Sequence, residues 1–121
     1  MRRFGICIAA ISAAVFAGSP AFAHAKLVAT TPADGSAVGA PTEIRLKFDE
    51  PVEVKLTGVD LSGSAGNAIA TGAASADAAD PSTVVIPVSG ALKAGSYKAH
   101  WHAVSDDMHR VEGDFAFEVK P

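Results

Sequence analysis

His24 and the run Asp107-Met108-His109 are the residues of this chain whose types and spacing point to chemistry. A histidine that becomes a chain's first residue offers two donors that an internal histidine lacks together. Its free α-amine and its Nδ1 can close a six-membered chelate ring on one metal ion. The amine has an ordinary pKa of about 7.7 to 8.0, so a metal displaces its proton at modest cost near neutral pH. Asp107 and His109 stand two apart, and in extended backbone such residues point to the same side, with Met108 turned away. One amine, two imidazoles and a carboxylate form an N3O set. That set suits tetragonal Cu(II), which the Irving-Williams order favours over nickel and zinc, although a tetrahedral zinc site could use the same donors. Each half taken alone has a plainer reading. Chain ends usually fray, and Asp-x-His is also what a polar loop between two strands looks like. The common amino-terminal copper motif needs histidine in third place and is absent, because Ala25 and Lys26 follow His24.

His24 can be a terminus only if the preceding segment is removed, and that segment has the anatomy of an export signal. Met1-Arg2-Arg3 is a positive start, Phe4 to Ala17 carries no charge, and Ala21-Phe22-Ala23 is a small-x-small cleavage box behind Pro20. Residues 1–23 are therefore expected to be a signal peptide and 24–121 a single exported domain, long enough for one core. Ala23-His24-Ala25 has the same small-x-small form, and a cut after Ala25 would discard the first ligand. Arg2-Arg3 alone does not make a twin-arginine signal, so the general export route is expected. The lone cysteine, Cys7, lies near the beginning of the apolar run and not at the cut, which argues against a lipid anchor. The mature chain then has no thiol, so disulfides and thiolate metal sites are excluded and only nitrogen, oxygen and thioether donors remain. After Ala23 no apolar run approaches the roughly 20 residues of a membrane span. The formal charge of −3 becomes more negative when Arg2 and Arg3 leave, and no basic patch is present for nucleic acid.

The elements that must position these donors read as strands. Ile44, Leu46 and Phe48 alternate with Glu43, Arg45 and Lys47, giving one dry face and one wet face. The same alternation runs through Val52, Val54 and Leu56, with Pro51 breaking the preceding strand. Tyr97, Ala99, Trp101 and Ala103 share a face, as do Phe115, Phe117 and Val119. Turns fall at 32–35, 63–67, 89–90 and 94–95. Residues 71–80 are rich in alanine, which offers little to bury, so they read as a loop or irregular edge. About seven short strands in this length predict an all-β, immunoglobulin-like Greek-key sandwich.

In order along the chain, His24-Ala25-Lys26-Leu27, Thr31-Pro32-Ala33-Asp34-Gly35-Ser36, Phe48-Asp49-Glu50-Pro51-Val52-Glu53, Gly95-Ser96-Tyr97 with Trp101, Val104-Ser105-Asp106-Asp107-Met108-His109, Gly113 and Phe115-Ala116-Phe117 resemble the CopC-like copper resistance proteins. The resemblance covers essentially all of 24–121. It implies a periplasmic immunoglobulin-like carrier that binds Cu(II) through the residues matching its motifs, His24, Asp107 and His109. In some members a glutamate of the Phe-x-Glu-Pro stretch lies beside the copper, and Glu50 stands in that place here; its alternative is a solvated carboxylate at a strand end. A CopD-type inner-membrane copper transporter is the delivery partner the resemblance implies. Members with a methionine-rich Cu(I) site differ from this chain, where Met108 alone remains after Met1 leaves.

His100 and His102 share a strand face and are either a second metal pair or solvent-facing residues. Trp101 reads as core, able also to wall the copper site, while Ser105 and Asp106 are placed to orient the His109 ring. The expected product is a non-enzymatic, monomeric copper carrier or buffer, free in the periplasm. Two other classes compete with it. A copper monooxygenase gripping its metal with an N-terminal histidine would need open coordination positions and a broad substrate surface, whereas a carboxylate ligand discourages redox cycling. A metal-free immunoglobulin-like interaction module would not need His24 and His109 to lie at one end of the sandwich.

Overall fold

Alternating apolar residues build two sheets whose dry faces meet. The structure, a computed structural model, describes residues 25–121; the expected signal peptide 1–23, with Cys7, and the expected ligand His24 lie outside the described residues. Nine strands follow one another among them: β1 (Leu27–Thr31), β2 (Ser36–Val38), β3 (Glu43–Phe48), β4 (Gly58–Gly63), β5 (Ala68–Ile69), β6 (Ser75–Ala76), β7 (Thr83–Pro87), β8 (Gly95–Val104) and β9 (Arg110–Val119). One sheet has the order β1-β3-β7-β6 and the other β2-β9-β8-β4-β5. Two of the nine, β5 and β6, are two-residue edge strands, which accounts for the excess over the seven expected. No helix among the described residues is long and apolar enough to cross a membrane.

The core lies between the sheets, as the period-two pattern requires. Ile44, Leu46 and Phe48 of β3 and Val84 and Ile86 of β7 are buried on one side. Tyr97, Ala99, Trp101 and Ala103 of β8 and Phe115, Phe117 and Val119 of β9 are buried on the other. Each large apolar side chain fully buried in this way contributes roughly 1.5–3 kcal/mol relative to exposure. Phe48 meets Trp101 edge-on with ring centroids 5.7 Å apart and so joins the two sheets beneath the end that carries the hairpin tip. The Tyr97 hydroxyl donates to the Lys93 carbonyl at 2.6 Å, a tyrosine corner of the kind immunoglobulin-like sandwiches use where a chain enters a strand.

On the wet face of β3, Arg45 bonds Glu43 and Asp77 and Lys47 bonds Asp80, all at 2.7 Å. These pairs tether the alanine-rich segment, which contributes only β6 to the sheet, in keeping with an irregular edge.

One strand assignment fails. Val52, Val54 and Leu56 do not form a strand: Val52 makes a single bridge with Ser105, and Val54–Leu56 is a one-turn 3-10 helix. Here the chain leaves one sheet for the other, and crossing the edge of the sandwich forbids a continuous ladder. Leu56 N–H and the Thr57 hydroxyl both donate to the Glu53 carbonyl, at 3.0 and 2.9 Å, and close the turn. Alternation in sequence suggested a strand, but Val54 is only half-buried and Leu56 is exposed, so the apolar positions here do not share a dry face.

Candidate metal centre

Residues 105–109 connect β8 to β9 as a three-residue hairpin loop. Met108 N–H donates to the Ser105 carbonyl at 2.8 Å and Ser105 N–H to the His109 carbonyl at 2.9 Å, so Asp106, Asp107 and Met108 form the tip. Such loops are a turn followed by one left-handed residue. Met108 takes that position, with φ +68°, the one non-glycine positive φ among the described residues. Asp107 and His109 thus converge because the chain turns sharply, and not because it is extended as the sequence reading assumed. Met108 is also 66% exposed, so it gains little burial in return for its conformation. Met108→Gly is expected to raise stability by roughly 0.5–1 kcal/mol, the left-handed penalty less the greater freedom of glycine in the unfolded chain. A denaturant midpoint shifted upward at unchanged slope checks it.

The Asp107 carboxylate and the His109 ring form a direct pair, Oδ2 to Nδ1 at 2.9 Å. That is a charge-assisted hydrogen bond, and it holds an imidazole and a carboxylate side by side, where one ion could take both in place of the shared proton. Ser105 is fully buried and its hydroxyl donates to Asp107 Oδ1. That bond first, and the His109 ring second, hold the Asp107 carboxyl down at about 2, so it is an anion throughout the neutral range. Ser105 Oγ also accepts from His109 N–H at 3.3 Å and lies 3.2 Å from the His109 carbonyl. Its single proton serves the carboxylate, because a hydrogen bond to an anion is the stronger one.

Ser105 therefore acts on the His109 ring through Asp107. Ser105 fixes Asp107 and the His109 backbone, Asp107 itself touches the ring, and Asp106 is exposed.

The start of the described chain lies at the same end of the sandwich. Lys26 N–H donates to Asp49 Oδ1 at 2.8 Å, and Asp49 N–H to the Lys26 carbonyl at 2.9 Å. Three residues later Val52 bridges Ser105, and Glu53 N–H donates to the Val104 carbonyl at 2.8 Å. The span from Asp49 to Val52 can be no longer than about 11 Å, so the beginning of β1 and the base of the hairpin are joined by a short strap. Ala25, next to His24 in sequence, is only 2% exposed and belongs to the core. Asp49, which clasps the chain's beginning, was not singled out from sequence.

Glu50 lies on the strap, half-buried. Among the described residues no three histidine, cysteine, aspartate or glutamate side chains gather as a metal site, so Glu50 does not join Asp107 and His109 in such a group. Of the four sequence-assigned donors, two are brought together, one stands on the strap, and His24 is outside the described residues.

His100 and His102 both face outward from β8, as expected. His100 bonds a carboxylate at each ring nitrogen, Asp114 through Nδ1 and Glu112 through Nε2, each at 2.8 Å. Asp114 first and Glu112 second raise its pKa above the usual histidine value. Trp101 is buried as core.

Fold and site together define a class: a small immunoglobulin-like sandwich that presents an imidazole–carboxylate edge on the hairpin tip at the end where its chain begins. The chain belongs to the CopC domain family, with residues 27–120 matching the family model. It is 39% identical over 114 residues to copper resistance protein C of Pseudomonas syringae pv. tomato, a match covering 90% of each chain. It superposes on the crystal structure of PcoC, a methionine-rich copper resistance protein from Escherichia coli, with TM-score 0.72 and 37% identity, over 81% of this chain and 100% of that one. CopC from Methylosinus trichosporium OB3b is similar at TM-score 0.73 and 29% identity, over 81% of this chain and 95% of that one. The protein is thus a copper resistance family member with the family's sandwich. Its two methionines, one of them Met1, set its composition apart from the methionine-rich relative.

Proposed function

We propose that this protein is a periplasmic Cu(II) carrier or buffer whose site is completed by removal of residues 1–23. In this reading Cu(II) is cargo, held by the α-amine and imidazole of His24, the imidazole of His109 and the carboxylate of Asp107. Glu50, on the strap between the chain's beginning and the hairpin, is an auxiliary carboxylate. The observation that supports it most is the 2.9 Å Asp107–His109 edge, fixed by a buried serine at the end where Lys26 is clasped. Nitrogen and oxygen donors suit the cupric ion, and an anionic ligand disfavours its reduction, so binding and delivery rather than oxidative turnover is the role. Export leaves the carrier beside the inner membrane, where a CopD-type transporter is the acceptor. The domain needs no second copy to complete its donor set and acts as a monomer.

The intact mass of the exported protein and a Cu(II) titration test the reading together. A chain beginning at His24 that binds one cupric ion, with quenching of Trp101 fluorescence, is the expected result. A secreted chain beginning at Lys26, or a His24 form that takes up no equivalent of Cu(II), would overturn it.

A further inference from the structure

The outer face of the five-stranded sheet carries a second set of donors that the hairpin site does not use. His100 and His102 are two apart on β8, so both rings leave the same face from Cα atoms about 6.6 Å apart. The register places Asp60 and Asp114 on either side of His100, and Gly58 and Glu112 on either side of His102. His100 leans toward β9, where Asp114 holds its Nδ1 and Glu112 meets its Nε2 at 2.8 Å. His102 leans the other way and lies over Gly58. A Cβ added there would come within 3.0 Å of His102 Cε1 and 3.3 Å of its Nε2, so the absence of a side chain at 58 is what gives this ring its room.

A carboxylate on one ring nitrogen is the usual means of aiming the other nitrogen at a metal. Asp114 does this for His100, whose Nε2 is hydrogen-bonded to Glu112 at 2.8 Å, so an entering ion must displace the proton between them. Two imidazoles from alternate positions of one strand add a chelate whose backbone is fixed before any ion arrives. We propose that His100 Nε2, the His102 imidazole and the Glu112 carboxylate form a second, weaker site for a divalent transition-metal ion, Cu(II) above all, with Asp114 orienting His100. As folded, three such donors do not meet. Loading therefore requires the His102 ring to swing from above Gly58 toward Glu112, and that rotation makes the site the weaker of the two. Arg110 Nε, 3.7 Å from Glu112 Oε2, competes for the same carboxylate and weakens it further. This goes beyond the carrier reading and shares no ligand with it.

The test is a titration of the chain beginning at His24 with Cu(II) chloride in a non-coordinating buffer, followed by calorimetry and electron paramagnetic resonance. Two equivalents are expected, the second weaker and with its own nitrogen hyperfine pattern. His102→Ala should weaken the second step at least tenfold and leave the first unchanged, and His109→Ala should do the reverse. Circular dichroism confirms folding, and His102→Gln replaces the alanine variant if that one unfolds. Saturation at one equivalent in the unmodified protein, or a second equivalent that survives loss of His102, overturns the proposal. Failure of the hairpin site instead would remove the first step and spare the one that depends on His102.

Discussion

Replacing His109 with alanine in the chain that begins at His24 is expected to lower Cu(II) affinity by more than about 100-fold, the upper end of what loss of a group merely supporting a ligand costs. In the proposed site the ring supplies one of three nitrogen donors, and it also stands against the Asp107 carboxylate, so its removal would take away one proposed ligand and loosen another. The fold should survive, because the His109 backbone, not its ring, closes the hairpin through Ser105. Ser105→Ala provides a graded comparison. It touches no metal in this scheme, yet it removes the hydroxyl that holds Asp107, and a loss of about 10–100-fold is expected. A competition titration against a chelator of known affinity measures both. If His109→Ala and a form lacking His24 both keep full affinity, the hairpin is not where copper sits.

The second large effect concerns stability. Gly113 lies opposite Trp101 in the β8–β9 register, and a Cβ built on it falls 3.0 Å from Trp101 Nε1 and 3.1 Å from two further indole atoms. A rigid bicyclic ring cannot yield as a flexible side chain would, and it is also packed edge-on against Phe48 of the facing sheet. Gly113→Ala must therefore displace the indole or part the strands, an overpacking cost of typically 1–3 kcal/mol. For a domain of this size each kcal/mol lowers the melting temperature by about 4–8 °C. Thermal unfolding measures the loss, and a changed near-ultraviolet dichroism of Trp101 would locate it. An unchanged melting temperature would mean that the indole has room which the packing here does not provide.

How far the sequence could be read depended on the physical origin of each feature. The β3 and β8 alternations, with Ile44, Leu46 and Phe48 or Tyr97, Ala99 and Trp101 on one face, were legible because the strand period is a backbone property that no distant contact alters. The 3-10 turn at Val54–Leu56 was not, since it exists only because the chain changes sheets there, and where it does so is decided by pairing partners far away in sequence. Asp107 and His109 were legible as a pair from spacing and family resemblance, but the reason offered for their convergence, extended backbone, was wrong. Met108 in a left-handed conformation gave no warning, because glycine or asparagine is the residue that normally marks that position. Gly58 and Gly113 acquire their meaning from the rings that lie over them, and those neighbours come from other strands.

The buried position of Ala25 bears on how the protein should be produced. Terminal residues ordinarily wander, and capturing one costs entropy that a weakly held ion cannot recover. Ala25 is packed in the core, so the described chain is anchored up to the position that follows His24. In the proposed site, a retained initiator methionine or tag remnant ahead of His24 would turn the amine into an amide, and material prepared that way would lack that donor however well it folded.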